Sequence, residues 1–388
     1  NRFNNFHYNV PSPIAERVGW NLTGGLVYLD ENNRHSWNTD WTDFAPRMGL
    51  SYKLTDRMVL RAGYGIFYPA VLGTGDATGF SATTPWVPSV NGEGIMPNDL
   101  FRNPFPNGLV PALGSSQGLL TNLGLGVGQF QRDRPNGYMQ NYSLDIQMEA
   151  GKGTIVEIGY TGNQGRHLSH GIAFNDNQLH PQYLAMGSAL DRAVPNPFFG
   201  IITAGALAGQ TIPQHRLLRE FPQFNTVTRG PASPGGSTSF NALLVKVTKQ
   251  FSSGLMLMSS YQWSKCIDNI GETEPSPGGA ADGIRNFKDL SIERSLSAHD
   301  LPHSFVTALV YDLPFGRGRK FGAGINRVVD AAIGGWNVSG MFRFDSGLPV
   351  RLTAPSTIAQ YGFGIQLPNI ANGDDVKLEG RTPERWFN

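Results

Sequence analysis

Residues 138–149, YMQNYSLDIQME, decide the reading of this chain. Tyr142, Leu144, Ile146 and Met148 alternate with Ser143, Asp145, Gln147 and Glu149, so an extended backbone puts every apolar side chain on one face and every polar one on the other. Residues 336–345 repeat the pattern, with Trp336, Val338, Gly340, Phe342 and Phe344 alternating with Asn337, Ser339, Met341, Arg343 and Asp345. Six further segments read as strands with less regular alternation: 48–54, 58–68, 154–164, 239–250, 255–264 and 303–313. Their apolar rows are Met48/Leu50/Tyr52/Leu54, Leu60/Ala62/Tyr64/Ile66/Tyr68, Val156/Ile158/Tyr160, Leu243/Val245/Val247, Leu255/Leu257/Tyr261/Trp263 and Phe305/Leu309/Tyr311/Leu313. In the last segment Val306, Ala308 and Val310 leave the facing ambiguous. Trp20–Leu29 reads equally as a strand or as a loop hairpin, because Gly24 and Gly25 are adjacent.

The connections between the eight segments alternate in length. Turns of about 3 or 4 residues (55–57, 150–153, 251–254) follow the first, third and fifth segments, whereas loops of about 69, 74 and 38 residues follow the second, fourth and sixth. Short turns at one end and long loops at the other are the asymmetry of an outer-membrane barrel. The seventh connection, 314–335, is longer than the other turns but belongs to the short-turn end by parity. A strand of 11 or 12 residues at about 3.3 Å each, tilted near 45°, projects to roughly 27 Å, close to the apolar band of about 25 Å that such barrels carry. Tyr52, Tyr311 and Trp336 fall toward the turns, and Tyr68, Tyr160, Trp263 and Phe344 toward the loops, which reads as two interfacial girdles. The competing reading is a soluble β-sandwich or propeller whose apolar rows meet in a core.

Composition narrows the choice. Charged residues are 16% of the chain, where about 25% is usual, and 48 of 388 residues are glycine. A formal charge of +1 gives no broad electrostatic case for nucleic acid. The single cysteine, Cys266, excludes an intramolecular disulfide and any multi-cysteine metal site. No stretch reaches the roughly 18 apolar residues of a membrane-spanning helix; 198–209 is interrupted by Thr203 and three glycines. The start of the chain, NRFNNFHYNV, has neither the basic nor the apolar part of a secretion signal, as expected of a mature product or an internal fragment.

The strings FAPRMGLSYKL, VLRAGYGIFYPA, EIGYTGNQGRHL, FNALLVKVTKQFSSGLMLMSSYQWSKCID, SAHDLPHSFVTALVYDLPFGRGRKFG and GGWNVSGMFRFDSGLPV, in that order from Phe44 to Val350, resemble the C-terminal barrel portion of TonB-dependent outer-membrane receptors. The likeness is to the Oar-like kind with a carboxypeptidase-regulatory-like domain. The resemblance implies an all-β fold, an antiparallel transmembrane β-barrel present only in part from a 22-stranded type, with long extracellular loops. It also implies a plug domain and a segment contacting the TonB energy-coupling complex, neither of which lies in this sequence. The organisation expected is a loop or edge segment of the barrel over 1–42; strands over 43–346 with long loops 69–137, 165–238 and 265–302; and an extracellular loop over 347–388 leading to final strands not in the sequence.

Candidate chemistry is sparse. His299-Asp300-x-x-His303 has metal-ligand spacing for a helix, but Pro302 interrupts it and the same residues sit at a loop-to-strand boundary. Gly151-Lys152-Gly153-Thr154 lacks the rest of a phosphate loop and reads as a turn, and Gly124, Gly126 and Gly128 read as flexible loop. No nucleophile elbow or oriented base marks an enzyme, and no metal or cofactor is expected. The cluster Phe315-Gly-Arg-Gly-Arg-Lys320 suits anionic headgroups, a periplasmic partner or, most simply, a solvated turn. Trp37, Trp41, Phe80 and Trp86 are candidate ligand-stacking platforms on loops, unless they fold the loops onto themselves. Arg61, Asp145, Glu149, Glu157, Lys246 and Arg343 are candidates to line a lumen, with mutual ion pairing or plug contact as the alternatives. The expected partners are outer-membrane lipid, the plug, the TonB complex and an unknown extracellular ligand. The expected activity is import of a bulky nutrient, carbohydrate or peptide. An outer-membrane structural, export or adhesion component binding a macromolecule is the alternative.

Overall fold

In a computed structural model the eight expected segments form one antiparallel meander: β1 (Arg47–Thr55), β2 (Met58–Phe67), β3 (Tyr138–Gly151), β4 (Thr154–Ser169), β5 (Pro234–Ser252), β6 (Leu255–Asp268), β7 (His303–Asp312) and β8 (Asn337–Asp345). A two-residue strand, Ser295–Leu296, adds to β6. The structure describes residues 4–32, 34–35, 37–69, 78–92, 94–129, 131–151, 153–169, 174–230, 234–252, 254–269, 284–350, 352, 354–368, 377–382 and 385–387. Tight turns join β3 to β4 and β5 to β6; at the first, Gly151 (φ 83°) and Gly153 (φ 68°) take left-handed conformations that residues with a side chain rarely adopt.

Register decides how the faces divide. Residues paired across a ladder share a face, and the pairing runs Tyr52, Leu60, Ile146, Ile158, Val245, Tyr261, Phe305, Phe344, one apolar residue from every strand. The members of the apolar rows assigned from sequence that the ladders pair fall on this face, Tyr68 and Leu313 lie just past their strands, and Val306, Ala308 and Val310 belong to the opposite face. One residue along each strand, on the other face, the row is Gln147, Glu157, Lys246, Ser260, Val306, Arg343.

No described residue covers the apolar face: Leu144 is 49% and Ile158 52% exposed, and none of the three hydrophobic clusters among the described residues includes a residue of this sheet. That overturns the soluble sandwich, in which these rows would meet a second sheet. The sheet is also open, with β1 and β8 at its two edges among the described residues. The apolar row lies two residues from the turn end at Leu60 in β2 and seven from it at Phe305 in β7. That drift of about one residue per strand, at a rise of about 3.3 Å and a spacing of about 4.8 Å, corresponds to a tilt of roughly 35°, within the range of closed barrels.

The protein core lies in the segments at the long-loop end. Asn4–Pro11 pairs with Thr23–Tyr28, and Phe6 and Leu26 of this hairpin pack with Val127, Phe221, Phe224 and Val227. Trp20–Leu29 is thus partly a strand, but it belongs to this hairpin: among the described residues 1–42 contribute nothing to the edge of the large sheet. Gly126–Gln129 pairs in parallel with Thr226–Arg229, which corrects the expectation of a flexible loop at Gly124–Gly128. Gly124 (φ 83°) is fixed by close approach, since a Cβ there would stand 2.2 Å from the Ala204 carbonyl oxygen. A second cluster joins Ile14 and Leu22 to Phe198, Ile202, Leu207 and Ile212, and a third joins Leu179 and Leu190 to Tyr361 and Phe363. The expected terminal loop, 347–388, therefore reaches back into the lobe, and its Lys377–Thr382 and Arg385–Phe387 form a separate hairpin.

Candidate functional site

Buried amides lock the lobe together. Asn177 donates from Nδ2 to the Phe221 and Phe224 carbonyls (3.0 and 2.9 Å) and accepts at Oδ1 from the Phe221 N–H (3.0 Å). Gln178 donates to Asn286 Oδ1 at 2.8 Å and accepts from the Phe287 N–H at 2.7 Å, and Gln223 donates to the Thr23 carbonyl at 2.7 Å. These bonds join loops far apart in sequence, and buried amides left unpaired would be costly, so each bond also fixes position.

Beside them lies a charged network. Asp176 accepts from Tyr8 Oη (2.7 Å) and Gln129 Nε2 (3.1 Å) at one oxygen and from Arg229 Nε (2.8 Å) at the other. Burial and the Asp176 carboxylate push the Tyr8 phenol well above its usual range, so it remains a donor. His215 is buried, 3.2 Å through Nδ1 from the Leu190 carbonyl and 3.5 Å from Asp191, with the Tyr361 ring edge-on at 5.0 Å. Burial first, then the Arg219 charge, lowers its pKa. Arg219, itself brought down to about 10 by burial, holds the Asn225 and Gln360 carbonyls.

A groove of about 550 Å³ opens along the first hairpin strand, lined by Asn5 to Val10 on one side and by Gln129, Gln131, Arg132 and Asp133 on the other. Two buried amide oxygens of its lining, Asn5 Oδ1 and Gln131 Oε1, have no hydrogen-bond partner among the described residues. Asn38 holds two of the lining residues, accepting from Arg132 Nε at 3.1 Å and donating to Asp133.

The four aromatic platforms do not form one surface. Trp41 is 86% exposed, and Trp37, half exposed, precedes Asn38, which binds Arg132 and Asp133 of the groove lining. Phe80 packs edge-on against Tyr28 at 5.8 Å, and Trp86 packs against Phe101 at 5.9 Å while donating to the Asp99 carbonyl at 3.1 Å, so each of these two has an aromatic partner within the chain. Arg61, Asp145, Glu149, Glu157, Lys246 and Arg343 share the polar face of the sheet. Arg61 and Asp145 sit directly opposite at 3.9 Å, Lys246 is in register with Glu157, and Arg343 turns to Asp345 at 2.6 Å. His303 is committed to Tyr261 Oη (2.8 Å) and Asp300 to the Cys266 N–H (2.6 Å), a boundary role; no group of three metal-binding side chains occurs among the described residues. The residues missed from sequence are the groove and network residues Asn5, Tyr8, Gln129, Gln131 and Asp176. The one available signal was the density of Phe and buried-type amides in segments read as loop.

Among solved structures, the chain is similar to the outer membrane transporter YddB from Escherichia coli (10% identity, TM-score 0.34, covering 79% of this chain and 28% of that one). It is also similar to the siderophore receptor PirA from Acinetobacter baumannii (12%, 0.30, 78% and 34%) and the alcaligin receptor FauA from Bordetella pertussis (12%, 0.27, 70% and 27%). The chain thus spans about a third or less of their lengths, and so loose a likeness carries no inference about ligand or partner. No curated protein sequence matches it. A family model does, over residues 1–388, and its description, outer membrane beta barrel domain, agrees with a sheet that shows one apolar and one charged face. The chain belongs to the outer membrane beta barrel domain family.

Proposed function

We propose that this chain is the barrel part of a TonB-dependent receptor that takes up a bulky nutrient, with the loop lobe receiving the ligand and the polar face of the sheet lining the route inward. The observation that carries this reading is the pair of adjacent rows across the sheet. The apolar one faces lipid, and Gln147, Glu157, Lys246, Ser260 and Arg343 face an aqueous interior. Energy comes from the TonB complex through a segment outside this sequence and acts on a plug that is also outside it. The sequence strings between Phe44 and Val350 support this, by resemblance. In the groove, the oxygens of Asn5 and Gln131, unpartnered among the described residues, favour a ligand rich in donors, which sugar hydroxyls and peptide N–H groups both supply.

A second reading has one observation in its favour: the lobe is a folded unit with three hydrophobic clusters, a surface fit to hold a macromolecule as an adhesion or export component does. Growth of a strain lacking the full-length gene, on single oligosaccharide or peptide sources with and without a protonophore, separates the two. A growth defect on one class, reproduced in the parent strain by the protonophore, supports energised uptake. Unchanged growth with lost attachment to a surface or partner cell supports the second reading and overturns the first.

A further inference from the structure

The seventh connection is built differently from the other turns. It stays at the turn end, as the Asp312 N–H donating to the Gly254 carbonyl (2.8 Å) shows, but it contains α1 (Arg327–Ile333), capped by Asn326 Oδ1 on the Val328 and Val329 N–H groups. The helix buries no residue: Val328 is 81% exposed, and Val329, Ile333, Phe315 and Phe321 are exposed beside it. Trp336 ties this patch to the sheet. Its indole donates to the Ala332 carbonyl at 2.9 Å, its carbonyl accepts from the Leu313 N–H at 2.8 Å, and it begins the apolar row of β8, Val338, Phe342 and Phe344. The helix patch therefore continues the lipid-facing band past the end of the strand.

The charges are one-sided. Between Pro314 and Trp336 stand Arg317, Arg319, Lys320 and Arg327 against one carboxylate, Asp330, which accepts the Arg317 N–H at 2.7 Å. All four cations are exposed, and Arg319 is only 3.9 Å from Asp312, a loose pair. Apolar side chains continuous with a membrane face, rimmed by cations, are what an element lying in a bilayer interface requires. We propose that residues 314–336 form an interfacial foot, with Val328, Ile333, Phe321 and Trp336 seated among acyl chains and Arg317, Arg319, Lys320 and Arg327 on anionic phospholipid headgroups of the leaflet at the turn end. The foot holds β7 and β8 at a fixed depth.

The test uses the full-length receptor in vesicles of phosphatidylcholine, with or without a quarter phosphatidylglycerol. In a Cys266→Ser background, Val328→Cys carries a bimane label, and quenching by brominated lipid is compared with quenching by aqueous iodide. The foot predicts quenching by brominated lipid several-fold stronger than by iodide. Phosphatidylglycerol should strengthen it, and Arg317→Gln/Arg319→Gln/Lys320→Gln should abolish that gain while leaving heat-modifiable mobility unchanged. Strong iodide quenching would make this a solvated turn, quenching by neither agent would make it a protein-covered surface, and indifference to phosphatidylglycerol would remove the headgroup contact. Each of the three outcomes overturns the proposal.

Discussion

Leu144 and Phe221 are both large apolar side chains, yet the first stands 49% exposed on an uncovered sheet and the second is sealed, 1% exposed, between Phe6 and Tyr8. The eight-stranded meander places its apolar residues outward for an outer membrane, and the lobe at its long-loop end places them inward as a water-soluble protein does. One chain is thus folded against two solvents. In the sheet the backbone ladder holds the structure and lipid completes the burial. In the lobe, packing and buried amides must do both.

That contrast is open to attack from either side. The largest effect should come from Phe221→Ala, which removes a ring from the first cluster at about 3–5 kcal/mol. External protease should then cut the loops on intact cells, while heat-modifiable mobility of the barrel is retained; loss of both together would mean that lobe and sheet fold as one unit. Leu144→Arg or Ile146→Arg should do the reverse, putting charge toward lipid at about 2–4 kcal/mol and blocking assembly, whereas Ser143→Arg on the other face should assemble normally. Equal behaviour of the two faces in the same gel assay would erase the distinction.

Acid should loosen the lobe and spare the sheet. His215 is held neutral in the fold, its pKa below the ordinary value of about 6.5. Its contribution is whole above that value and falls as pH drops below it, because the unfolded chain then takes up a proton that the folded one resists. Proteolysis of the loops should therefore quicken between pH 7 and pH 5.5, and His215→Asn should flatten the dependence. The smallest effect belongs to Arg61→Gln: its partner Asp145 is 3.9 Å away and both are partly exposed, so assembly should change by no more than about 1 kcal/mol in a denaturant titration.

The sheet was legible because a two-faced strand prints its environment at a period of two. From Tyr142 to Met148 each side chain announces its face, and the register then aligns Tyr52 with Phe344 across the six strands between them. The lobe was not legible, because its core comes from single residues of distant segments: Phe6, Val127 and Phe224 share no period, and Asn177 reveals itself only once Phe221 is beside it. The same reasoning explains the platforms. An aromatic residue on a loop looks alike whether it awaits a ligand, as the exposure of Trp41 permits, or already has a partner, as Phe80 has in Tyr28. The groove residues Asn5 and Gln131 had only the composition of their segments to mark them, since what singles them out is an oxygen buried without a donor among the described residues.

The most direct test of the two-solvent account is a nitroxide scan along Tyr138–Glu149 in the full-length protein in its membrane. Collision rates with oxygen and with a water-soluble nickel chelate would be read at each position. Oxygen contact should peak at 142, 144, 146 and 148, and nickel contact at 143, 145, 147 and 149, two period-two waves in opposite phase. A single flat profile, or apolar positions shielded from both agents, would show that these side chains meet protein and not lipid.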